Sequence, residues 1–445
     1  MKSLLSCSLG LALCCILATA SAQNNENSPL SRYGLGDLRS GSTGWMSGMA
    51  NSGTAFLSEQ LYNPLNPASA AYLRQTDVEL GIQVKRNYLE DGNGKTFEDW
   101  SGNLSHIFLA VPLRNAVNEL LDRKTYKHSY ALQLGLNPFS TVGYRSETVD
   151  SSDKANRLSR FLQGNGTIQA LNLGFAYRYQ NFAAGLQMNY LFGTLNYNQN
   201  LLFTSVPSSY DSYISDSYHI TGWRPTLGFS YRAIINKQEV KKDNSVRKQF
   251  LSASLVFQLP TKFNASYSAL HQTRFEEELR LVDTTFYVDG QKSEGTHPLG
   301  IRAGLYYSHK EKYGLMGSFQ YDLWNDAKFP AGLIGTVGNS SLFQLGGWYK
   351  PGSSGFDKFF KKSIYRFGAY TGTDYREIQG EAPNLIGLTL GWSYPILFLR
   401  QDAMVHLSLD LGQRMREGLL TEKYIQIHFG VSINDNEWFL KRRYN

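Results

Sequence analysis

Four side chains near the end of the chain have the residue types that nucleophilic catalysis requires: His406, Ser408, Asp410 and His428. A serine hydroxyl attacks an acyl carbonyl when a histidine takes its proton and an acidic group orients that histidine. In a β-strand, alternate residues share a face, so the first three would lie together, as would His428 and Ser432. If the two strands pair closely in register, His406 and His428 become neighbours and the set could serve a lipid hydrolase.

The sequence around these four residues favours a different interpretation. Every position on the same face is polar or glycine, as expected of an inward face that is polar throughout and needs no catalytic role. The sequence contains no GxSxG elbow, P-loop, dinucleotide fingerprint or HExxH motif. We therefore predict that the chain is not an enzyme, binds no metal and no cofactor, and carries the four residues as a polar cluster.

Two-residue alternation dominates the chain after residue 75 and predicts β-strands. The clearest example has an apolar side made by Leu171, Leu173, Phe175, Tyr177 and Tyr179. A matching run at 182–190 follows directly after Gln180-Asn181, which is short enough for a hairpin turn. The same pattern recurs at 78–84, 132–136, 251–259, 301–307, 313–321, 386–392, 403–411 and 425–433.

The composition of the two strand faces predicts an antiparallel barrel in a membrane. Aromatic residues make up 13% of the chain, with 28 Tyr and 25 Phe, and such residues form girdles at both membrane interfaces. The mean hydropathy is −0.34, so we expect no membrane-spanning helix beyond the first 22 residues. The polar face consists of Gly, Ser, Gln, Asn, His and an occasional Arg, whereas the solvent-facing side of a soluble sandwich is usually rich in Lys, Glu, Asp and Thr.

Connections between the predicted strands alternate between short and long, as in outer-membrane barrels. Short ones are Gln180-Asn181, a break near Glu311 and residues 395–401. We place these at the periplasmic side, together with both termini. Long polar ones, which we place outside the cell, are 86–102, 146–166, 206–217, 236–248, 283–297 and 325–339.

The first 22 residues have the pattern of a cleaved secretory signal. Lys2 supplies a positive charge, residues 4–17 are apolar, and Ala20-Ser21-Ala22 offers the small residues of a cleavage site before Gln23. All three cysteines, at positions 7, 14 and 15, lie in this segment. The mature protein is therefore predicted to contain no disulfide and no thiolate metal site.

A glycine-rich segment between this signal and the first predicted strand lacks strand alternation. It contains Gly41, Gly44, Gly48 and Gly53 and ends near the motif Asn66-Pro67-Ala68. With the strands that follow, it resembles the FadL-like family, the long-chain fatty-acid transporter type of outer-membrane β-barrels. The stretches 28–38 and 438–444 are similar to a Bacteroidota branch of that family.

This resemblance implies about fourteen strands and an N-terminal hatch inside the lumen. We accordingly predict a signal peptide at 1–22, a hatch (plug) at 23–75, an all-β transmembrane barrel at 76–433 and a basic periplasmic tail at 434–445. The hatch motif is Asn66, Pro67 and Ala68. The apolar hatch residues could line a ligand pocket or pack the plug, and they are Trp45, Met46, Met49, Phe56, Leu57, Leu61 and Leu65.

The predicted function is passive uptake of a hydrophobic small molecule, a fatty acid or similar apolar solute, across the outer membrane of a Gram-negative cell. An alternative is a non-transporting barrel that acts as a subunit or partner of a type IX secretion or surface-assembly complex. An outer-membrane lipid hydrolase is a minor alternative. The formal net charge of +7 is explained by contact with outer-membrane lipid and lipopolysaccharide, and we predict no nucleic-acid partner.

Overall fold

A computed structural model describes residues 28–91, 96–115, 117–119, 127–150, 158–203, 210–243, 246–275, 282–330, 333, 335–352, 358–398, 401–416 and 420–436. The predicted signal peptide and most of the predicted basic tail lie outside these residues. No helix in the described ranges is long and apolar enough to cross a membrane.

The chain forms a closed antiparallel β-barrel of fourteen strands. Its first strands are β1 (Asp37–Leu38), β2 (Thr76–Asp91), β3 (Thr96–Pro112), β4 (His128–Asp150), β5 (Leu158–Tyr179), β6 (Phe182–Phe203), β7 (Tyr210–Ile234), β8 (Phe250–Gln258), β9 (Thr261–Phe275) and β10 (Val282–His297). The remainder are β11 (Gly300–His309), β12 (Tyr313–Asp322), β13 (Thr336–Val337), β14 (Ser340–Tyr349), β15 (Ile364–Thr373), β16 (Arg376–Glu377), β17 (Asn384–Phe398), β18 (Gln401–Arg416) and β19 (Leu420–Asp435).

Pairing of β19 with β2 closes the barrel. Two of its fourteen crossings are interrupted, because β8 and β9 form one crossing broken at Pro260, and β10 and β11 form another broken at Pro298. Proline donates no backbone hydrogen bond, so it interrupts a ladder at such a point. The short β13 and β16 pair only with each other, and β1 belongs to the N-terminal segment, so these three strands are not barrel crossings.

Side chains alternate between an apolar outer face and a polar inner face, as the sequence predicted. In β5, Leu173 and Phe175 are 44% and 45% exposed, whereas Asn172, which directly precedes Leu173, is buried. In β18, Leu407 is exposed while His406 and Ser408 on either side are buried. The exposed apolar rows on the other strands complete the outer band that a transmembrane barrel requires.

Several segments predicted as long loops are instead strand. The predicted loops 86–102, 146–166, 206–217 and 283–297 fall largely within β2 to β5, β7 and β10. The strands extend well past the apolar band. Beyond that band both strand faces are in contact with water, so polar residues there do not distinguish a strand from a loop. The described residues between 325 and 339 do form an irregular connection, apart from the short β13 and the end of the 3-10 helix Trp324–Asp326.

One predicted loop lies at the wrong end of the barrel. We call the end with the Gln180-Asn181 turn the turn end, and the opposite end, where β18 meets β19, the long-strand end. The segment 236–248 joins β7 to β8, and its neighbour Arg232 donates a backbone hydrogen bond to Asn181 O at 2.9 Å. It therefore lies at the turn end and contains the helix α2 (Lys237–Lys242). Its polar composition is similar to that of the long loops at the opposite end, so composition alone could not place it correctly.

The N-terminal segment, residues 28–75, lies against the inner face of this wall. It contains the 3-10 helix Pro29–Arg32, β1, the single-turn helix α1 (Gly44–Ser47) and the 3-10 helix Pro67–Tyr72. Helix α1 contacts β17 to β19, and the second 3-10 helix contacts β3 to β7. A third single-turn helix, α3 (Phe359–Lys362), precedes β15 at the turn end.

Candidate functional site

The motif Asn66-Pro67-Ala68 fixes the N-terminal segment to the inner wall. The Asn66 side chain accepts a hydrogen bond from Ala68 N at 3.0 Å and so caps the following 3-10 helix. Its Nδ2 donates to Ser230 Oγ on β7 at 2.8 Å. Gln133 Nε2 on β4 donates to Pro67 O at 2.6 Å. The motif thus joins a local turn to two different barrel strands.

Glycines let helix α1 approach the wall at backbone distance. A Cβ added to Gly48 would lie 2.9 Å from the Cα of Gly391 on β17, closer than real side chains come. A Cβ on Gly44 would lie 3.3 Å from the Cα of Gly430 on β19. The glycine-rich composition therefore serves close packing of one backbone on another.

The seven apolar residues predicted to line a pocket or pack the plug are all buried. Six of them form one cluster with the wall residues Tyr306, Met316 and Trp348. The seventh, Leu57, belongs to a separate cluster beneath β3 to β6. These contacts are those of packed side chains, and a ligand-binding role stays a prediction.

The polar cluster predicted at the end of the chain is inward-facing, but it is not a catalytic triad. His406 pairs across the ladder with Gly430, and His428 pairs with Ser408, so the two histidines are not paired neighbours. Both ring nitrogens of His406 contact hydroxyl groups, those of Ser393 at 2.8 Å and Ser432 at 3.1 Å.

Two further members of that cluster, Asp410 and Ser408, also have partners outside it. Asp410 accepts a hydrogen bond from the Tyr370 hydroxyl at 3.0 Å. Ser408 Oγ lies 2.5 Å from Ser47 Oγ of helix α1. A triad needs one histidine between a hydroxyl and a carboxylate. The Ser408 contact instead holds α1 to β18, and the Asp410 contact joins β18 to β15. The described residues contain no group of three possible metal-ligating His, Cys, Asp or Glu side chains.

Arg366 on β15 was missed by sequence reasoning and anchors the same helix. Its guanidinium donates to Gly44 O at 2.8 Å and to Trp45 O, and it lies 5.0 Å from the centroid of the Trp45 ring. Strand alternation could have revealed it, because Arg366 lies between the exposed residues Tyr365 and Phe367 and so faces inward. A buried cation needs such partners to offset its lost hydration.

A second group of charges, also missed, ties the N-terminal segment to the long-strand end. Asp37 forms an ion pair with Arg376 at 2.7 Å and accepts a hydrogen bond from Arg414 at 3.1 Å. Asp374 accepts a hydrogen bond from Arg376 at 2.6 Å and forms an ion pair with Arg414 at 3.1 Å. Glu422 joins Arg414 at 3.2 Å and Ser28 Oγ, which donates at 2.7 Å. These contributors are distant in sequence, so no local pattern could have brought them together.

The strands β3 and β4 part halfway up the barrel wall. Their pairing runs from Pro112 opposite Ala131 to Ile107 opposite Leu136 and does not continue between the two strands beyond that point. The register of β2 against β3 shifts at the same level, leaving Ser105 as a bulge. Bulges bend a strand and end its pairing. The upper halves of β3 and β4 are therefore separated.

The N-terminal segment takes the place of β3 along the upper half of β4. Leu38 of β1 pairs with Ser140, and Asp37 pairs with Thr141. Arg39 N donates to Phe139 O at 2.9 Å, and Ser28 N donates to Gly143 O at 2.8 Å. The parted wall is thus covered from within by a segment that forms only a two-residue strand.

Residues 38–41 border two small cavities inside the described part of the barrel. The first is about 230 Å³ and borders the predicted polar cluster at Asp410 and His428. The second is about 210 Å³ and borders Arg224 and Arg302. Polar and apolar side chains line both cavities in similar measure, whereas the pocket of a hydrophobic ligand is lined mostly by apolar and aromatic side chains.

The fold is shared by solved barrels of low sequence identity. A Pseudomonas aeruginosa FadL homologue superposes with a TM-score of 0.55 at 12% identity, over 89% of this chain and 98% of its own. The CymD monoaromatic hydrocarbon channel gives a TM-score of 0.54 at 14% identity, over 88% and 97%. The P. putida toluene transporter TodX gives 0.53 at 14% identity, over 86% and 97%.

These likenesses establish the fold, and the sequence itself establishes the family. No curated protein sequence is significantly similar to this chain. A family model described as BamG matches residues 7–445, which includes the N-terminal segment and every barrel strand. The chain is therefore a member of the BamG family, built on the same barrel fold as the FadL-type channels.

Proposed function

We propose that this protein is an outer-membrane channel for hydrophobic small molecules, which leave the lumen sideways between β3 and β4. The observation that carries the proposal is the end of β3–β4 pairing at Ile107 and Leu136. Unpaired backbone N–H and C=O groups in a barrel wall cost free energy where they face lipid. A gap between two strands is therefore expected to serve a function. A lateral exit would deliver an apolar solute into the bilayer without exposing it to water.

The N-terminal segment would act as the hatch of this exit. It has only two strand pairs with β4, and so short a strand is weakly held by its own hydrogen bonds. Movement of β1 away from Ser140 would join the lumen to the wall opening. The relatives described as hydrocarbon and toluene channels share the fold, which makes the same solute class the natural one to test.

A reversible cross-link between β1 and β4 tests the proposal directly. Leu38 and Ser140 are antiparallel partners, and Cα atoms in such pairs lie about 4.5–5.5 Å apart, within the range that a disulfide bridges. We expect the Leu38→Cys/Ser140→Cys double variant, when oxidised, to abolish uptake of toluene or a fluorescent fatty acid into outer-membrane vesicles. Reduction should restore uptake to the level of the Ser140→Cys single variant.

A matched control places a cross-link in the intact part of the wall. Leu255 on β8 and Ala303 on β11 are also antiparallel partners, and Leu255 is exposed on the outer face of the wall, opposite to the face that contacts the N-terminal segment. Their double-cysteine variant should transport equally well in both redox states. Unchanged uptake by the oxidised Leu38–Ser140 variant would overturn the lateral exit through β3 and β4.

A second candidate function is that of a partner subunit in a secretion or surface-assembly complex. It is favoured by the polar, nearly filled lumen and by exposed aromatic side chains toward the long-strand end. Trp100, Phe97 and Tyr287 are 53%, 59% and 66% exposed, and exposed aromatic residues are typical of protein interfaces.

Native purification in mild detergent, followed by mass spectrometry, separates the two candidates. Retention of an apolar molecule by the isolated barrel supports the channel. Stoichiometric recovery of a large protein that dissociates when Phe97, Trp100 and Tyr287 are replaced by serine supports the partner subunit. In that second case the vesicle assay should show no uptake by the isolated barrel.

A further inference from the structure

Two arginines inside the barrel face the same small cavity without an acidic partner in contact. Arg224 lies on β7 and Arg302 on β11, and both line the cavity of about 210 Å³ beside residues 38–41. Arg224 is only 6% exposed. Neither guanidinium makes a hydrogen bond, or an ion pair within 4 Å, with any residue that the structure describes. The proposed channel function does not explain them.

Each arginine has unmet hydrogen-bonding capacity. The Nε atoms of Arg224 and Arg302 are buried without an acceptor among the described residues. The Arg224 guanidinium lies 5.5 Å from the centroid of the Phe139 ring, a contact that offers no hydrogen-bond acceptor of ordinary strength. A buried cation without acceptors loses the hydration that it had in water. A group that supplies acceptors therefore belongs in this cavity.

The charge around the cavity favours an anion as that group. Asp322 is the one carboxylate among the described residues that line it, and both arginines are within electrostatic range of Asp322. The Asp322 Oδ2 atom accepts from Gln320 Nε2 at 2.6 Å, and its Oδ1 atom is buried without a hydrogen-bond partner among the described residues, so this single carboxylate does not pair with either arginine. Arg39 of the N-terminal segment also lines the cavity. Arg224 and Arg302 thus face a single carboxylate.

The wall is built to hold a polar ligand at this level. Thr226, Gln258, Gly300 and Asp322 are consecutive partners on one rung of the sheet, directly below the breaks at Pro260 and Pro298. Amide side chains from neighbouring strands complete the lining, and they are Asn137, Asn172, Gln187, Asn189, Gln258 and Gln320. The amide groups of Asn137, Asn172, Gln187 and Gln320 each already donate one hydrogen bond within the wall, which leaves the second N–H of each for an anion that the guanidinium groups face.

We infer that this cavity is an anion-binding site for a carboxylate or similar small oxyanion, held by Arg224 and Arg302. The planar fork of a guanidinium matches the two oxygens of such a group and forms strong charge-assisted hydrogen bonds. A cavity of this size accommodates a carboxylate with a few further atoms but no large solute. The bound anion would bridge Arg224 on β7 and Arg302 on β11 beside the N-terminal segment.

Ligand-dependent stability of the full-length protein in detergent tests this site. Thermal unfolding would be recorded with sodium acetate against sodium chloride at equal ionic strength, so that general screening is constant. A ligand bound only by the folded state raises the midpoint of thermal unfolding. For the wild type we expect acetate to raise this midpoint by a few °C, which is the usual shift when the free energy of unfolding of a large domain rises modestly. The Arg224→Gln/Arg302→Gln variant should lose this response.

The matched control removes one positive charge elsewhere. Arg160 is an exposed arginine on β5, and the Arg160→Gln variant should keep the wild-type response to acetate. If the double variant fails to fold, the single Arg302→Gln variant leaves Arg224 to balance Asp322 and should show a reduced response. No acetate effect in the wild type, or an equal effect in all variants, would overturn the site.

A second arm identifies the source of the anion. Dodecanoate and dodecanol share an apolar chain, and only dodecanoate carries the carboxylate. Stabilisation by dodecanoate at concentrations far below those of acetate, with none by dodecanol, assigns the site to the head of an amphiphile. Equal molar effects of dodecanoate and acetate assign it to a small free anion. Because uptake is not measured, the outcome is independent of the proposed channel.

Discussion

Arg376 Nη1 lies 2.7 Å from Asp37 Oδ1, joining the connection after β15 to the N-terminal segment across the lumen. Both side chains are almost completely buried. Arg414 on β18 contacts the same carboxylate, and Asp374 contacts both arginines. Each charge is thus satisfied only when the segment, the connection and the wall are all in place.

Removing the Asp37 carboxylate is expected to release the N-terminal segment. Breaking a buried ion pair from one side leaves an uncompensated charge, and such changes cost about 3–5 kcal/mol. Asp37→Asn should therefore lower the unfolding midpoint in detergent. It should also expose the peptide bond after Arg39 to trypsin under conditions in which the wild type is resistant.

An exposed ion pair provides the control for this variant. Lys262 and Glu294 are 2.9 Å apart, but their side chains are 75% and 60% exposed. Surface pairs of this kind contribute little because water screens them. Lys262→Gln should change neither the midpoint nor the trypsin pattern, and a wild-type pattern for Asp37→Asn would contradict the anchoring role.

The same anchor predicts a dependence on acid pH. Burial alone would raise the pKa of Asp37, but the guanidinium groups of Arg414 and Arg376 overcome this and hold its pKa well below its usual range. The pKa of Asp374 is also lowered, because the same two arginines outweigh the effect of burial. A carboxyl whose pKa is lower in the folded state stabilises fully above its unfolded pKa and loses that effect as pH falls.

Trypsin digestion is confined to neutral pH, so the acid transition is better followed by a fluorophore on residue 38. Its emission should be constant above about pH 5, because the carboxylates then remain ionised in both states. Release of the segment should begin below about pH 4. A transition centred near neutral pH would show that other groups control the segment.

The sequence predicts the strands of the barrel wall much better than it predicts the side-chain contacts inside the barrel. The barrel strands were predictable because outward rows such as Leu171 to Tyr179 carry their own periodicity, whereas their number, fourteen, followed from the resemblance to FadL-like barrels. The contact between Asp37 and Arg376 carries no local signature, since it exists only after the barrel closes. His406 was correctly placed on an inward face, but its partners Ser393 and Ser432 depended on a register that alternation leaves undetermined.

The close approach of the Asn66-Pro67-Ala68 motif to the wall depends on Gly185. A Cβ at Gly185 would lie 2.5 Å from Ala68 N and from Pro67 C, both backbone atoms that cannot rotate away. Gly185→Ala should therefore displace the motif and lower the unfolding midpoint by several °C, since overpacking costs about 1–3 kcal/mol. Gly430→Ala, whose nearest neighbour is 3.4 Å away, should be tolerated. Equal midpoints in both variants would contradict this packing.

Trp45 separates the packing role of the apolar plug residues from a ligand-binding role. Its ring lies 5.9 Å from those of Phe56 and His406, with the Arg366 guanidinium over it at 5.0 Å. Replacing a buried tryptophan by alanine costs about 3–5 kcal/mol, so Trp45→Ala should unfold at a clearly lower temperature. Trp45→Phe keeps much of the contact and should lose less.

Bound lipid in the same two variants decides between the roles. If Trp45 only packs, Trp45→Phe should retain the amount of co-purifying apolar molecule seen in the wild type, and any loss in Trp45→Ala should follow the fraction unfolded. If Trp45 lines a ligand pocket, bound lipid should fall in both variants even at temperatures where each is fully folded. Mass spectrometry of native preparations at 4 °C measures this directly, and its first outcome is the one that the buried cluster around Tyr306 and Trp348 predicts.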